Sequence, residues 1–409
     1  MMFWTLSSIL NLLLLVSGKN EKLFYVYDWS DIINLSHSKS FTFTKRLSYE
    51  ASDLENYGCG PLMNQDIGLY QSHQYMVFEL FYHRLLESFM RTTDPNEASI
   101  FFIPYDIGID STTRRSDGAL TNTKCPNLNI VLNRLKEQPY FNRNYGRDHF
   151  ILTSINQPMG YYLNKDCRKF YDNCWNCTKL GIDNYPHYLF NELKIHKSLV
   201  HKWISIPFPS NYHHSKLVKY KSWLIENNRN IKITFQGSPF VTSKKGKILR
   251  KLILKECKRR NNNDNNECHY NKLKTHHSNT KLDINLYYQS ELCLMPQGDF
   301  PTRKGVLDAL FAGCIPVVFN LYTAHKQWLN HWENQSIVYD LIEYIPYENV
   351  IDNIQNTFDH LIGLAQNKIE LLRRRKLFNT IAFRMQYNKF NGGSKEIDAV
   401  DVFMNKLLS

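Results

Sequence analysis

Residues 286–320 read LYYQSELCLMPQGDFPTRKGVLDALFAGCIPVVFN, and this stretch decides the fold. It spells strand, loop, helix, strand. Leu292-Cys293-Leu294-Met295 is a short apolar run that stops at Pro296, and the polar loop Gln297-Gly298-Asp299-Phe300-Pro301 follows. Thr302 is placed to cap a helix whose first turn holds Arg303 and Lys304. Val306, Leu307, Leu310 and Phe311 give that helix an apolar face, and Gly313 ends it in a left-handed cap. Residues 314–319 then read as a buried strand. A helix start presents unpaired N–H groups and partial positive charge. Cations are disfavoured there unless an anion joins them, so the pattern points to phosphate. A surface βαβ unit with solvated basic residues is the competing reading.

The rest of the chain alternates in the same way. Leu23–Tyr27, Ser99–Pro104, His149–Ser154 and Lys202–Pro207 read as strands, with helical periodicity over Tyr70–Met90 and Val131–Lys136. Pro207–His214 looks like a hinge. After it come a helix at Tyr220–Glu226, a strand at Ile231–Phe235, a basic loop at Ser238–Lys247 and a helix at Ile248–Cys257. Leu371–Phe383 and Ala399–Leu408 read as terminal helices. Alternation of this kind predicts parallel sheets with helices on both faces. The expected organisation is an α/β domain over residues 22–210, a second over 215–375, and helices over 376–409 that pack back.

With 409 residues, 43% hydrophobic and 14% aromatic, the chain can build two cores and is not a disordered protein. The net charge of +12 is scattered apart from Lys255–Arg260 and Arg373–Lys376. No nucleic-acid motif accompanies it, so nucleic acid is set aside as a partner. An anionic nucleotide-sugar, an acidic glycan or a membrane surface suits the charge better. Met2–Val16 is apolar and followed by Ser17-Gly18, so residues 1–18 read as a signal peptide, with a short membrane anchor as the alternative. Nine cysteines fit a secretory compartment. Cys257 and Cys268 bracket a polar loop and are candidates to pair. Cys167, Cys174 and Cys177 suggest a disulfide-tied surface loop rather than a zinc or redox site. Cys293 and Cys314 lie on buried strands and read as free thiols. Asn34, Asn176 and Asn334 begin N-glycosylation sequons.

The 286–320 stretch resembles the signature of exostosin-type glycosyltransferases, glycosyltransferase family 47, and most closely the plant xyloglucan galactosyltransferase branch. The resemblance rests on Ser290–Asp299, Thr302–Lys304, Asp308-Ala309 and Gly313–Val317. It extends to Tyr70–Gln74, Asp94–Asp110, Gly146–Phe150, Phe235–Pro239 and Asp398–Val402. Phe240 and Gln297 depart from the family pattern. The resemblance implies a GT-B fold, two facing Rossmann-like domains with a cleft between them. It implies an enzyme: an inverting Golgi glycosyltransferase that moves a sugar from a UDP-sugar donor, UDP-galactose in this branch, to a glycan acceptor. UDP-glucuronate or UDP-xylose donors are alternatives, as is a catalytically inactive glycan-binding scaffold. It also leaves room for a Golgi membrane anchor and for homo- or hetero-oligomers with other glycosyltransferases.

On that reading Arg303 and Lys304 hold the diphosphate, supported by Thr302 and the Gly298–Thr302 backbone. Gly237 and Ser238 cradle the donor from the facing loop, and Lys244, Lys245 or Arg250 add charge. Asp299 accepts from a ribose or sugar hydroxyl, or closes an Asx-turn. Asp308 reaches the donor or forms a structural salt bridge. No cofactor and no metal is expected. The base comes from the first domain, with Asp106, Asp110 and His73 as candidates. Arg147, Asp148 and His149 read as structural.

Overall fold

The structure is a computed structural model that describes residues 22–29, 62–64, 68–70, 72, 76–114, 120–122, 125–154, 165–184, 202–212, 229–261, 267–272, 285–387 and 397–409. The N-terminal targeting segment, Asn34, Cys59, His73 and the expected helix at Tyr220–Glu226 lie outside them. Among the described residues no helix is long and apolar enough to cross a membrane.

The first sheet is built from β1 (Leu23–Val26), β2 (Arg91–Thr92), β3 (Ala98–Ile103), β4 (His149–Leu152), β5 (Thr178–Gly181) and β6 (Trp203–Ser205). They lie in the order β6-β5-β4-β3-β1-β2, and every pair is parallel. Helices α1 (Val77–Leu86), α2 (Leu128–Glu137) and α3 (Lys165–Asn173) accompany it. Of the stretch with helical periodicity expected from Tyr70, Val77–Leu86 is helix, while Leu69–Tyr70 pairs with Leu62–Asn64 as an antiparallel ribbon. The second sheet contains β7 (Ile231–Gly237), β8 (Cys268–Lys272), β9 (Ser290–Met295), β10 (Ile315–Val318) and β11 (Glu343–Tyr344). Its order is β8-β7-β9-β10-β11, again wholly parallel. Helices α4 (Lys244–Asn261), α5 (Lys304–Phe311), α6 (Ile354–Gln366) and α7 (Lys368–Ile381) go with it. Strands buried on both faces explain the continuous apolar runs at 292–295 and 314–319.

The two sheets are held together by specific bonds. Trp328 donates from its backbone to Ser205 Oγ at 2.8 Å and from its indole to Ile182 O at 3.4 Å. Gln327 accepts from Asn184 N at 2.7 Å and donates to Asn184 O at 2.6 Å. The last helix, α8 (Ala399–Leu408), returns to the first sheet, where Phe403 packs on Phe81 and Phe150. Arg84 of α1 binds its N-terminus, with Nε 3.0 Å from Asp398 and Nη2 2.7 Å from Asp401, and Asp398 caps that helix. Two parallel α/β sheets, with a terminal helix from the second crossing back to the first, make the GT-B arrangement.

Cysteine pairing corrects one expectation. Cys293 and Cys314 are joined, not free thiols. Cys293 sits on β9 and Cys314 just before its neighbour β10, and their Cα atoms are 5.9 Å apart, within disulfide reach. Cys257–Cys268 pairs as expected. Cys167 bonds Cys125, while Cys174 and Cys177 are free and buried.

Candidate active site

In the second sheet the chain starts at β7, adds β8 on one side and β9 on the other. The strand order therefore reverses between β7 and β9, and ligands of open α/β sheets bind beyond the carboxyl ends of strands at such a point. The loops leaving those two strands are 238–243 and 296–303, which carry Ser238, Gly298, Asp299, Thr302 and Arg303.

Arg250 of α4 locks the two loops together. Its guanidinium is buried and donates to Ser238 O at 2.5 Å, Gln297 O at 2.9 Å and Pro296 O at 3.1 Å. Burial, then the nearby charge of Arg303, lowers its pKa to about 9. Gln297 donates to Ser243 Oγ at 2.7 Å and accepts from Asn320 Nδ2 at 3.0 Å. It thus links the exits of β7, β9 and β10. Gly246 permits the close approach of α4, since a Cβ there would stand 2.8 Å from Gln297 O. Asp299 Oδ1 accepts from Thr242 N at 2.7 Å and Thr242 Oγ1 at 2.8 Å, so it braces the loops against each other. Ser238 Oγ accepts from Phe240 N at 3.0 Å, and Gly237 O from Tyr270 at 3.4 Å.

The start of α5 differs from the sequence reading by one position. Arg303, with extended backbone, is the N-cap residue and Lys304 is the first helical residue. Thr302 does not cap; its hydroxyl is buried with no hydrogen-bond partner. Lys304 and Asp308 bond each other. Lys304 Nζ lies 2.9 and 2.7 Å from the two oxygens of Asp308, and also donates to Asn211 Oδ1. Asp308 further accepts from Ser210 Oγ and Asn211 N, both at 2.8 Å. The pair therefore anchors the 208–212 strap to the helix. The Arg303 carbonyl accepts from Val306 N at 3.2 Å, but its guanidinium makes no hydrogen bond or ion pair among the described residues. Its guanidinium lies over Gly298, where a side chain would otherwise stand. Burial lowers its pKa, opposed by Tyr287 and Asp299. An unpaired guanidinium, an orphaned hydroxyl and a helix start thus converge at one switch point, and an oxyanion would satisfy all three.

On the first domain, Asp106 and Asp110 do sit beyond β3, but their carboxylates are occupied. Asp106 accepts from Gly108 N at 2.8 Å and Ser154 N at 3.2 Å. Asp110 accepts from Tyr105 OH at 2.7 Å, Asn127 Nδ2 at 2.7 Å and Asn127 N at 3.1 Å. Both are buried, and these bonds fix loops rather than aim a lone pair at an acceptor. Tyr70 and Ser72, which precede His73, accept through their carbonyls from Asn211 Nδ2 at 2.9 and 3.4 Å. Asn211 therefore joins that segment to Lys304. His149 is structural: it bonds Asp148 at 2.7 Å and Tyr27 at 2.9 Å inside an aromatic stack. Asn334 is exposed and caps a helix, whereas Asn176 is half-buried and donates to Tyr145 O at 3.2 Å. Asn211 escaped the sequence reading, as did the loop-bridging bonds of Arg250, read there only as added charge, and of Gln297, read only as a departure from the family pattern. Their partners are backbone groups and side chains far away in the chain.

A family model described as Exostosin GT47 domain matches residues 19–353. Two probable xyloglucan galactosyltransferases of Arabidopsis thaliana are 25% and 27% identical, over 85% and 87% of this chain and 75% and 82% of their own lengths. A xyloglucan-specific galacturonosyltransferase of the same plant is 25% identical over 89% of this chain and 55% of its own length. The crystal structure of TarM aligns with a TM-score of 0.33 and 11% identity, over 73% of this chain and 63% of that one, a likeness too slight to bear on the site.

Proposed function

The chain belongs to the exostosin GT47 family and is a glycosyltransferase, and from that premise we propose that it moves galactose from UDP-galactose to a hydroxyl of a xyloglucan-type polysaccharide in the Golgi lumen, with inversion. The observation that carries the donor half is the unpaired Arg303 at the start of α5, beside the buried Thr302 hydroxyl. The diphosphate docks on Arg303, Thr302 and the first N–H groups of the helix. Arg250 holds the Ser238 and Gln297 loops in place around it and adds a second positive charge. As the sugar–phosphate bond breaks, these charges stabilise the leaving UDP, so the reaction runs without a divalent metal. Lys304 and Asp308 act by positioning the helix. With Asp106 and Asp110 engaged in loop hydrogen bonds, His73 is the proposed base, because the residues just before it are tied through Asn211 to Lys304.

A second donor is favoured by the charge at the site. Two guanidiniums, Arg250 and Arg303, face one nearby carboxylate, Asp299, which already accepts twice from Thr242. UDP-galacturonate, with its extra negative charge, suits that balance too. Transfer assays on xyloglucan oligosaccharides with UDP-galactose, UDP-galacturonate, UDP-glucuronate and UDP-xylose distinguish the donors. Turnover with none of them, despite UDP binding, would refute the proposal and leave a non-catalytic scaffold.

A further inference from the structure

Cys174 and Cys177 are the described cysteines outside the three disulfides, and both are wholly buried. They flank a tight turn between α3 and β5. Cys174 N donates to Phe170 O at 2.9 Å, and Cys177 N to Cys174 O at 3.0 Å. The turn, closed by that Cys177 N to Cys174 O bond, brings the two side chains together, close enough for Cys177 to add to burial in raising the Cys174 pKa. Cys177 Sγ lies against Gly146, 3.0 Å from where a Cβ would sit. Lys179 closes the other side, donating to Trp175 O at 3.1 Å and Cys177 O at 3.2 Å.

This setting does not suit a working thiol. Reactive cysteines are partly exposed and have a lowered pKa, whereas burial pushes the Cys174 thiol well up. Two thiols are also half of a tetrahedral zinc set, and among the described residues no group of three metal-binding side chains occurs. The three disulfides elsewhere indicate folding under oxidising conditions.

We propose that Cys174 and Cys177 close a fourth disulfide while the chain folds, and that the closed turn keeps Asn176 unglycosylated. The oxidant is a dithiol carrier in its disulfide form. One cysteine thiolate attacks a carrier sulfur to give a mixed disulfide, and the second displaces the carrier. The new S–S bond forms as the carrier's breaks, and the two thiol protons end on the carrier's two sulfurs. The sequon Asn176-Cys177-Thr178 spans this ring. Its Asn176 amide is held on Tyr145 O, so the turn withdraws the sequon from the extended form that modification requires.

The test is a peptide map of the full chain secreted from a glycosylating host. The protein is denatured without reductant, alkylated, then digested. The expected result is a Cys174–Cys177-linked peptide, neither cysteine alkylated before reduction, and Asn176 bare. Alkylation of both in the unreduced protein, or linkage of either to another cysteine, overturns the disulfide. In Cys174→Ala, glycan occupancy at Asn176 should rise several-fold. A wild-type Asn176 already occupied overturns the second half.

Discussion

Lys304 and Asp308 stand one helical turn apart at the start of α5, with Nζ 2.7 Å from Oδ2, and both are bonded to Asn211 of the strap that leaves the first domain. The pair is where α5 meets the 208–212 segment that follows the first sheet. Asp308→Asn leaves a largely buried ammonium underpaired and should cost roughly 3 kcal/mol of stability. Lys304→Met with Asp308→Leu should recover only part of that loss, because Ser210 Oγ and Asn211 N lose their acceptor. Denaturant unfolding of the single and double variants checks the coupling.

Arg250 is bonded to three carbonyls of the two donor loops. Arg250→Met should leave those carbonyls unsatisfied and cost about 2–4 kcal/mol. It should also weaken UDP binding, because the loops lose their tie. Arg250→Lys should rescue little, since one ammonium does not reproduce the planar fork. Urea unfolding and UDP titration of both variants test this.

The Cys293–Cys314 bond encloses a 21-residue separation. Cys293→Ala with Cys314→Ala should lower stability by about 3 kcal/mol, a figure that follows from loop entropy in the unfolded chain. A midpoint in denaturant unchanged from wild type would argue against the bond in solution.

Acid should destabilise the fold before carboxylates titrate. Burial lowers His325 to about 4 and His331 to about 3, from an unfolded value of 6.5. Between those values the unfolded chain binds more protons, so stability is full above pH 6.5 and falls as pH drops towards 4. The two histidines together make the slope close to two protons per molecule at pH 5. Denaturant unfolding from pH 7.5 to 5 reads that slope, and His325→Phe should reduce it.

What the sequence disclosed and what it hid follow from range. Gly313 adopts the left-handed φ of 72° that its place after an apolar helix required. The i,i+4 spacing of Lys304 and Asp308 was a local signal for the salt bridge, and a helix start with basic residues was legible from Thr302–Lys304. Thr302 misled because Pro301 and the extended Arg303 delay the helix by one residue. The Cys293–Cys314 bond was hidden because strand adjacency is a property of the sheet. Asp106 and Asp110 were placed correctly at a strand end, but their partners, Ser154 and Asn127, come from other segments of the chain. A carboxylate at a strand exit looks the same in sequence whether it meets substrate or a backbone N–H.

The most direct test of the donor site is UDP binding to wild type, Arg303→Ala and Lys304→Met, each with and without EDTA, read by calorimetry and by thermal shift. The geometry predicts EDTA-resistant binding to wild type, a loss of about 10- to 100-fold in Arg303→Ala from one charge-assisted phosphate contact, and near-normal affinity in folded Lys304→Met. Binding that is unchanged in Arg303→Ala, or that vanishes with EDTA, would contradict a diphosphate held by Arg303 at the start of this helix.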